Sequence, residues 1–221
     1  FCVPDFMHIC DLGILQYMAG NICWELFVHL KGTFARHVKA VGLILNMTKL
    51  AAKGLGVEQP FASLTLGMIR PNAKSKPKMK LKAAEGRRFV PVLRVMLLKF
   101  FPLDDPHAQL RLQCLEAMYN VYKEMDNWIN GGVSAFRLGV FARKHLMLYH
   151  ELSAQSTDER LWHMYPKHHV FVHVCEGCSV NPRIQWNYGG EHEIGEAACM
   201  ARTANPCSIE TALMRRYRAT F

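Results

Sequence analysis

Asp5 and His8 stand three residues apart at the entrance to an apolar run, in Pro4-Asp5-Phe6-Met7-His8. A carboxylate at that spacing can orient an imidazole through a hydrogen bond, or it can cap the helix that follows. A second acidic candidate lies in Gly189-Gly190-Glu191-His192-Glu193-Ile194-Gly195-Glu196. The glycines let the chain turn into a helix whose first turn holds the acids. The macrodipole favours acids there, and a carboxylate so placed can also ligate a divalent metal.

Two further groups suggest other chemistry. Arg70, Lys74, Lys76, Lys78, Lys80, Lys82, Arg87 and Arg88 form a basic stretch in which Glu85 is the only acid. Such a stretch can lie along a phosphate backbone or stay a solvated loop. No aromatic interleaves it before Phe89, so base stacking is not expected of it. In His168-His169-Val170-Phe171-Val172-His173-Val174-Cys175-Glu176-Gly177-Cys178, a Cys-x-x-Cys pair with nearby histidines is a zinc pattern. If that segment is helical, His169 and His173 share a face, but Cys175 and Cys178 need a further turn. It is the only such pair, and Cys207 is the only other loop cysteine. The chain has no phosphate loop ending in Lys-Ser or Lys-Thr, no Gly-x-Ser-x-Gly and no His-Glu-x-x-His.

Composition narrows the classes of function. The chain has 221 residues, 50% hydrophobic and 20% charged, enough for one domain or one domain plus an insertion. Its 27 Lys+Arg against 18 Asp+Glu give a formal charge of +9, which favours polyanionic partners, nucleic acid first. Of eight cysteines, Cys2, Cys10, Cys23, Cys114 and Cys199 sit among apolar residues, where a thiol acts as a small hydrophobe. That usage predicts a reducing compartment, cytosol or nucleus. No apolar run approaches the ~20 residues of a membrane span, so no membrane partner is expected. A start at Phe1, with a motif already at Asp5, suggests a piece of a longer chain.

Periodicity supplies the elements that position these residues. Leu12, Leu15, Ala19, Ile22 and Leu26 predict a helix over 9–30, and a second helical run over 34–53 is ended by Gly54 and Gly56. Residues 55–80, with Pro60, Pro71 and Pro77, are expected to be irregular, with Phe61, Leu64, Leu66 and Met68 in short extended pieces. Three further stripes follow: Phe89, Val92, Leu93, Met96, Phe100; then Leu112, Leu115, Met118, Tyr122, Met125; then Leu138, Phe141, Ala142, His145, Leu148, Leu152. A polar linker is expected at 153–160, either strand or helix at 167–175, and final helices at 191–202 and 208–219.

Asp5-Phe6-Met7-His8 before an apolar helix resembles the "Cys or Asp, two residues, His" signature of eukaryotic cut-and-paste DNA transposases with an RNase H-like core of the DDE type. The nearest likeness is to families with a helical insertion, such as the hAT, CACTA and Plavaka or KDZ-like groups. The run Lys167-His168-His169-Val170-Phe171-Val172-His173, followed by Pro182, Trp186, Tyr188, Glu191 and Gly195, resembles the block around their last catalytic acid. The resemblance implies that Glu191 is the final metal-binding Glu, with Glu193 as the alternative. It implies that Asp5 and His8 are an accessory pair of the catalytic site.

The expected fold is therefore mainly α: a helical insertion flanked by the last elements of an incomplete RNase H-like core. Residues 1–30 would end a core segment, 31–160 would be the insertion, and 161–221 would return to the core with the acidic helix. In an intact parent, Mg²⁺ or Mn²⁺ would support DNA cleavage and strand transfer. Two further aspartates would lie upstream of Phe1, so this chain alone is expected to be inactive and to need no cofactor. DNA is the expected partner of the parent, in the nucleus or cytoplasm, and self-association is allowed. The alternative is a non-catalytic helical module that binds nucleic acid or protein. A third reading is a small zinc-stabilised domain.

Overall fold

The computed structural model describes residues 5–33, 37–72, 74–100, 105–129 and 135–182. The chain divides into two compact units, Phe1–Ile184 and Gln185–Phe221, and the described residues all belong to the first. They are mainly helical, and no strand occurs among them.

The chain enters through a π-helical segment, Met7–Ile14, that runs directly into α1, Leu15–Thr33. The Leu15 amide reaches back five residues to the Cys10 carbonyl, the wide-turn hydrogen bond that defines this rare helix. Met7, Ile9, Cys10, Asp11, Gly13 and Ile14 are all buried. A segment buried nearly all round must be surrounded, and α1, α4 and α7 all pack against it.

The remaining elements are α2 (His37–Leu55), the single turn α3 (Leu66–Ile69), α4 (Ala83–Phe100), α5 (Pro106–Ile129), α6 (Ala135–Gln155) and α7 (Pro166–Gly177). Helix α6 makes its most extensive contacts with α5 and then α7, while α4 bridges α1, α2 and α5. The expected stripes supply this core: Ile22 and Leu26 from α1, Phe89, Leu93 and Met96 from α4, Leu115 and Met118 from α5, Leu138 and Leu152 from α6. In α6 the buried face is turned slightly from the expected one. Tyr149 is fully buried, while Leu148 is only half-buried.

Three local expectations meet a definite answer. The segment 167–175, where strand and helix were both open, is helical, with His168, Phe171, Val172 and Cys175 buried at three- and four-residue steps. Pro166 starts it, where its missing N–H costs no hydrogen bond. Leu66 and Met68 form α3 rather than extended pieces, whereas Phe61 and Leu64 do reach the core. Helix α6 also runs on to Gln155, into the expected linker.

Candidate nucleic-acid interface

The basic stretch is seated on α1 by backbone contacts. The Met79 amide donates to the Gln16 carbonyl at 2.8 Å, and the Gln16 side-chain amide donates to the Leu81 carbonyl at 2.6 Å. The Lys78 and Lys80 amides donate to the carbonyls of Ile69 and Met68, both at 2.9 Å, which ties the stretch to α3 as well. Gly20 makes the close approach feasible: a Cβ there would lie 2.7 Å from the Lys78 amide nitrogen. Pro77, Met79, Leu81 and Ala83 are buried beneath the stretch, whereas the lysines between them remain exposed or half-exposed.

Lys76, Lys78, Lys80 and Lys82 thus line one open cleft of about 690 Å³ with Gln16, Tyr17 and Tyr165. Its aromatic wall is a stacked pair: the Tyr17 and Tyr165 rings lie 4.2 Å apart, inclined by 27°. The Lys76 ammonium sits 5.2 Å from the Tyr165 ring and the Lys78 ammonium 5.1 Å from the Tyr17 ring. Both distances are within cation–π range. Burial, and then a hydrogen bond with the Tyr17 hydroxyl, raise the Tyr165 hydroxyl well above its ordinary value, so it stays neutral. Among the described residues that line the cleft Glu85 is the one acid, and its carboxylate accepts from the Lys82 amide at 2.8 Å at the start of α4.

The other basic candidates are placed differently. Arg70 is buried, with its guanidinium 4.5 Å from the Trp24 ring and its Nε donating to the Ser75 carbonyl at 2.8 Å. Lys74 is exposed on the turn made by Asn72 and Ser75, away from the cleft lining. Arg88 pairs with Glu58, and Arg87 is half-buried on α4. The cleft therefore gathers four of the eight basic residues and adds two tyrosines from elsewhere in the chain. Alternation of lysine with apolar residues from Lys76 to Ala83 is the signal that marks this seating in the sequence.

At the amino end, both readings of Asp5 hold at once. Its carboxylate accepts from the Met7 amide at 2.9 Å, capping the π-helical segment, and lies 2.6 Å from His8 Nδ1. His8 is exposed at the surface, and its carbonyl accepts from Lys167 Nζ of α7 at 3.1 Å. Glu191 and Glu193, with the acidic helix expected around them, lie outside the described residues.

Beneath this surface is polar chemistry that sequence reasoning missed. Asp11 is fully buried and accepts a hydrogen bond from the Tyr122 hydroxyl, which also lies 3.4 Å from Cys10 Sγ. Burial, and then the Asp11 carboxylate, push both the Cys10 thiol and the Tyr122 hydroxyl well up, so neither ionises. Between α5, α6 and α7, His145 Nδ1 lies 3.1 Å from the Cys114 carbonyl. His168 Nδ1 lies 3.1 Å from both the amide nitrogen and the carbonyl oxygen of Tyr165. Burial lowers His145 to about 3 and His168 to about 4. Both Nε2 atoms are buried without a partner among the described residues, as is Oδ1 of Asn21, whose Nδ2 donates to the Tyr149 hydroxyl at 3.2 Å. Imidazoles in such a place remain neutral and serve packing.

Among the described residues, no third metal ligand joins the cysteine pair. Cys175 is buried with its thiol pushed well up, mainly by burial, and Cys178 Sγ turns onto the Cys175 carbonyl at 3.2 Å. His169 and His173 lie on the exposed side of α7. Among the described residues, no group of three or more His, Cys, Asp or Glu side chains is placed to hold a metal ion.

In comparisons with known proteins, no family model, curated protein or solved structure matches this chain. No helix among the described residues is long and apolar enough to cross a membrane.

Proposed function

We propose that this chain is a non-catalytic, helical nucleic-acid-binding module that grips the phosphate backbone. The observation that carries the reading is the convergence of Lys76, Lys78, Lys80 and Lys82 on one cleft walled by Tyr17 and Tyr165. Four lysines on a seated segment present a fixed row of cations, which neutralises phosphates and releases counterions. The tyrosine faces are stacked on each other and overlaid by lysine ammonium groups, so they are not offered to bases. Recognition of this kind reads charge and shape rather than base sequence.

The test is fluorescence anisotropy with labelled single- and double-stranded oligonucleotides across a salt series. If all four lysines engage duplex phosphates, the logarithmic salt slope is about −3 to −4. Replacing Lys76, Lys78, Lys80 and Lys82 by Glu together is expected to abolish binding while circular dichroism stays helical. Lys74→Glu with Arg88→Glu, outside the cleft, is expected to cost much less. Unchanged affinity in the fourfold variant would reject the reading and leave a protein partner as the rival.

A second reading, favoured by the hydrogen bond between Asp5 and His8, is descent from a DDE-type DNA transposase. In that case 31–160 is its helical insertion, the flanks belong to an RNase H-like core, and Glu191 holds Mg²⁺ or Mn²⁺ in an intact parent. One carboxylate cannot position two metal ions, so the chain by itself is expected not to nick DNA. Nicking by the purified chain with either ion, abolished by Glu191→Gln, would overturn that expectation.

A further inference from the structure

His169 and His173 are one helical turn apart on α7, and both are exposed. Their Nε2 atoms face each other at 2.9 Å, with ring centroids 4.3 Å apart and planes at 88°. The two rings therefore aim the same nitrogen at a common point beside the helix. A contact between two ring nitrogens is a hydrogen bond only if one ring donates and the other accepts. A cation seated at that point would instead use both lone pairs, and the shared proton would move, through water, to Nδ1 of the donating ring.

We infer that His169 and His173 form a two-nitrogen chelating site for a borderline divalent transition-metal ion. Neutral imidazoles suit Cu²⁺, Ni²⁺ and Zn²⁺, and the affinity order follows Co²⁺ < Ni²⁺ < Cu²⁺, with Zn²⁺ below Cu²⁺. Hard Mg²⁺ prefers oxygen donors and is not taken. The helix holds the pair, so little ordering is required on binding, and the remaining coordination positions stay open to water or an external donor. The site is separate from the lysine cleft and uses neither cysteine of the Cys-x-x-Cys pair. It stands whether or not nucleic acid is bound.

The experiment uses the full chain with one equivalent of Cu²⁺, read by electron paramagnetic resonance, and with Cu²⁺, Ni²⁺, Zn²⁺ and Mg²⁺ by calorimetry. The expected result is one saturable site with hyperfine coupling to two nitrogens, tightest for Cu²⁺ and absent for Mg²⁺. Loss of a supporting partner costs a metal site on the order of tenfold or more, and loss of a ligand should cost no less. His169→Ala and His173→Ala should each weaken Cu²⁺ at least that much. Thermal melts with Ni²⁺ give an independent reading, because a ligand bound only to the folded state raises Tm. That rise is expected in the parent chain and absent in His169→Gln/His173→Gln, which retains bulk and polarity if the alanine variants fold poorly. Unchanged Cu²⁺ affinity or an unchanged Ni²⁺-induced rise in the double variant would overturn the assignment, as would binding of Mg²⁺ at the same site.

Discussion

The backbone of Lys78 rests directly on Gly20. An added methyl group at position 20 would stand 2.7 Å from the Lys78 amide nitrogen and 2.8 Å from its Cα, closer than real Cβ contacts allow. Gly20→Ala must therefore lift the basic segment away from α1. The overpacking is expected to cost roughly 1–3 kcal/mol, despite the better helix propensity of alanine. Gly42→Ala in α2, where no described residue lies within 4 Å of an added Cβ, is the contrast and should gain up to about 1 kcal/mol. Urea unfolding of both variants checks the opposite signs, and Gly20→Ala should also bind oligonucleotides more weakly.

The tyrosine wall can be separated from the lysine row. Tyr165→Phe keeps the stack with Tyr17 but removes its hydroxyl, so oligonucleotide affinity is expected to change little. Tyr165→Ala removes the surface over which Lys76 lies and should weaken binding several-fold, in keeping with the ~0.5–1 kcal/mol of an exposed cation–π contact. Equal and large losses in both variants would mean that the hydroxyl itself contacts the ligand.

Acid should weaken the fold through His145. Its imidazole is lowered to about 3 because burial disfavours the charged form, and its neighbours Cys114, Tyr149 and His168 offer it no negative charge. A lowered histidine contributes stability that is complete above the unfolded value of ~6.5 and falls away as pH drops towards the folded one. Between neutral pH and pH ~4 this one group accounts for on the order of 3 kcal/mol. His145→Phe should flatten that part of the stability-against-pH curve, measured by urea unfolding at successive pH values. His168 leans in the same direction and retains its own share, so parallel curves for variant and parent would refute the role given to His145.

Glu25 gathers three donors from distant parts of the chain: Trp162 Nε1 at 3.0 Å, Arg111 Nη1 at 3.0 Å and His107 Nε2 at 3.4 Å. Trp162 is fully buried with a positive φ of 50°, a left-handed conformation that a bulky residue adopts only when its surroundings hold it. Glu25→Gln should cost roughly 2–4 kcal/mol, since the Arg111 side chain, only 6% exposed, loses a charged partner. The Glu25 hydrogen bond raises His107 against the opposing effect of burial. Its contribution is thus complete below ~6.5 and is lost as pH rises through the raised folded value. In Glu25→Gln that alkaline decline should disappear.

The helical framework was readable wherever apolar residues recur at helical steps, as with Phe89, Leu93 and Met96. A face of that kind must be buried, whatever the tertiary details. The cleft was only half readable. Its lysines alternate with apolar residues along one short stretch, but Tyr17 and Tyr165 join them through packing that no local pattern encodes. Arg70 shows the reverse: it looks like a surface cation among its neighbours, yet Trp24 and the Ser75 carbonyl draw it inside. Asp5 was ambiguous because one carboxylate has two oxygens, and the chain uses one for the cap and the other for His8. The histidines of α7 divide by helical phase, His168 inward and His169 and His173 outward, which became legible only once the helix was established.

The broad coil at Met7–Ile14 closes each hydrogen-bonded turn with one residue more than an α-helix uses. Losing one residue there would let ordinary α-helix form while the residues on either side keep nearly the same phase, so Phe6 keeps its place against Phe171. Losing one residue from the α-helical part of α1 would instead turn everything before it by about 100° around the axis. A frame-preserving codon deletion should therefore be far better tolerated within the wide-turn stretch than in the helix that follows it.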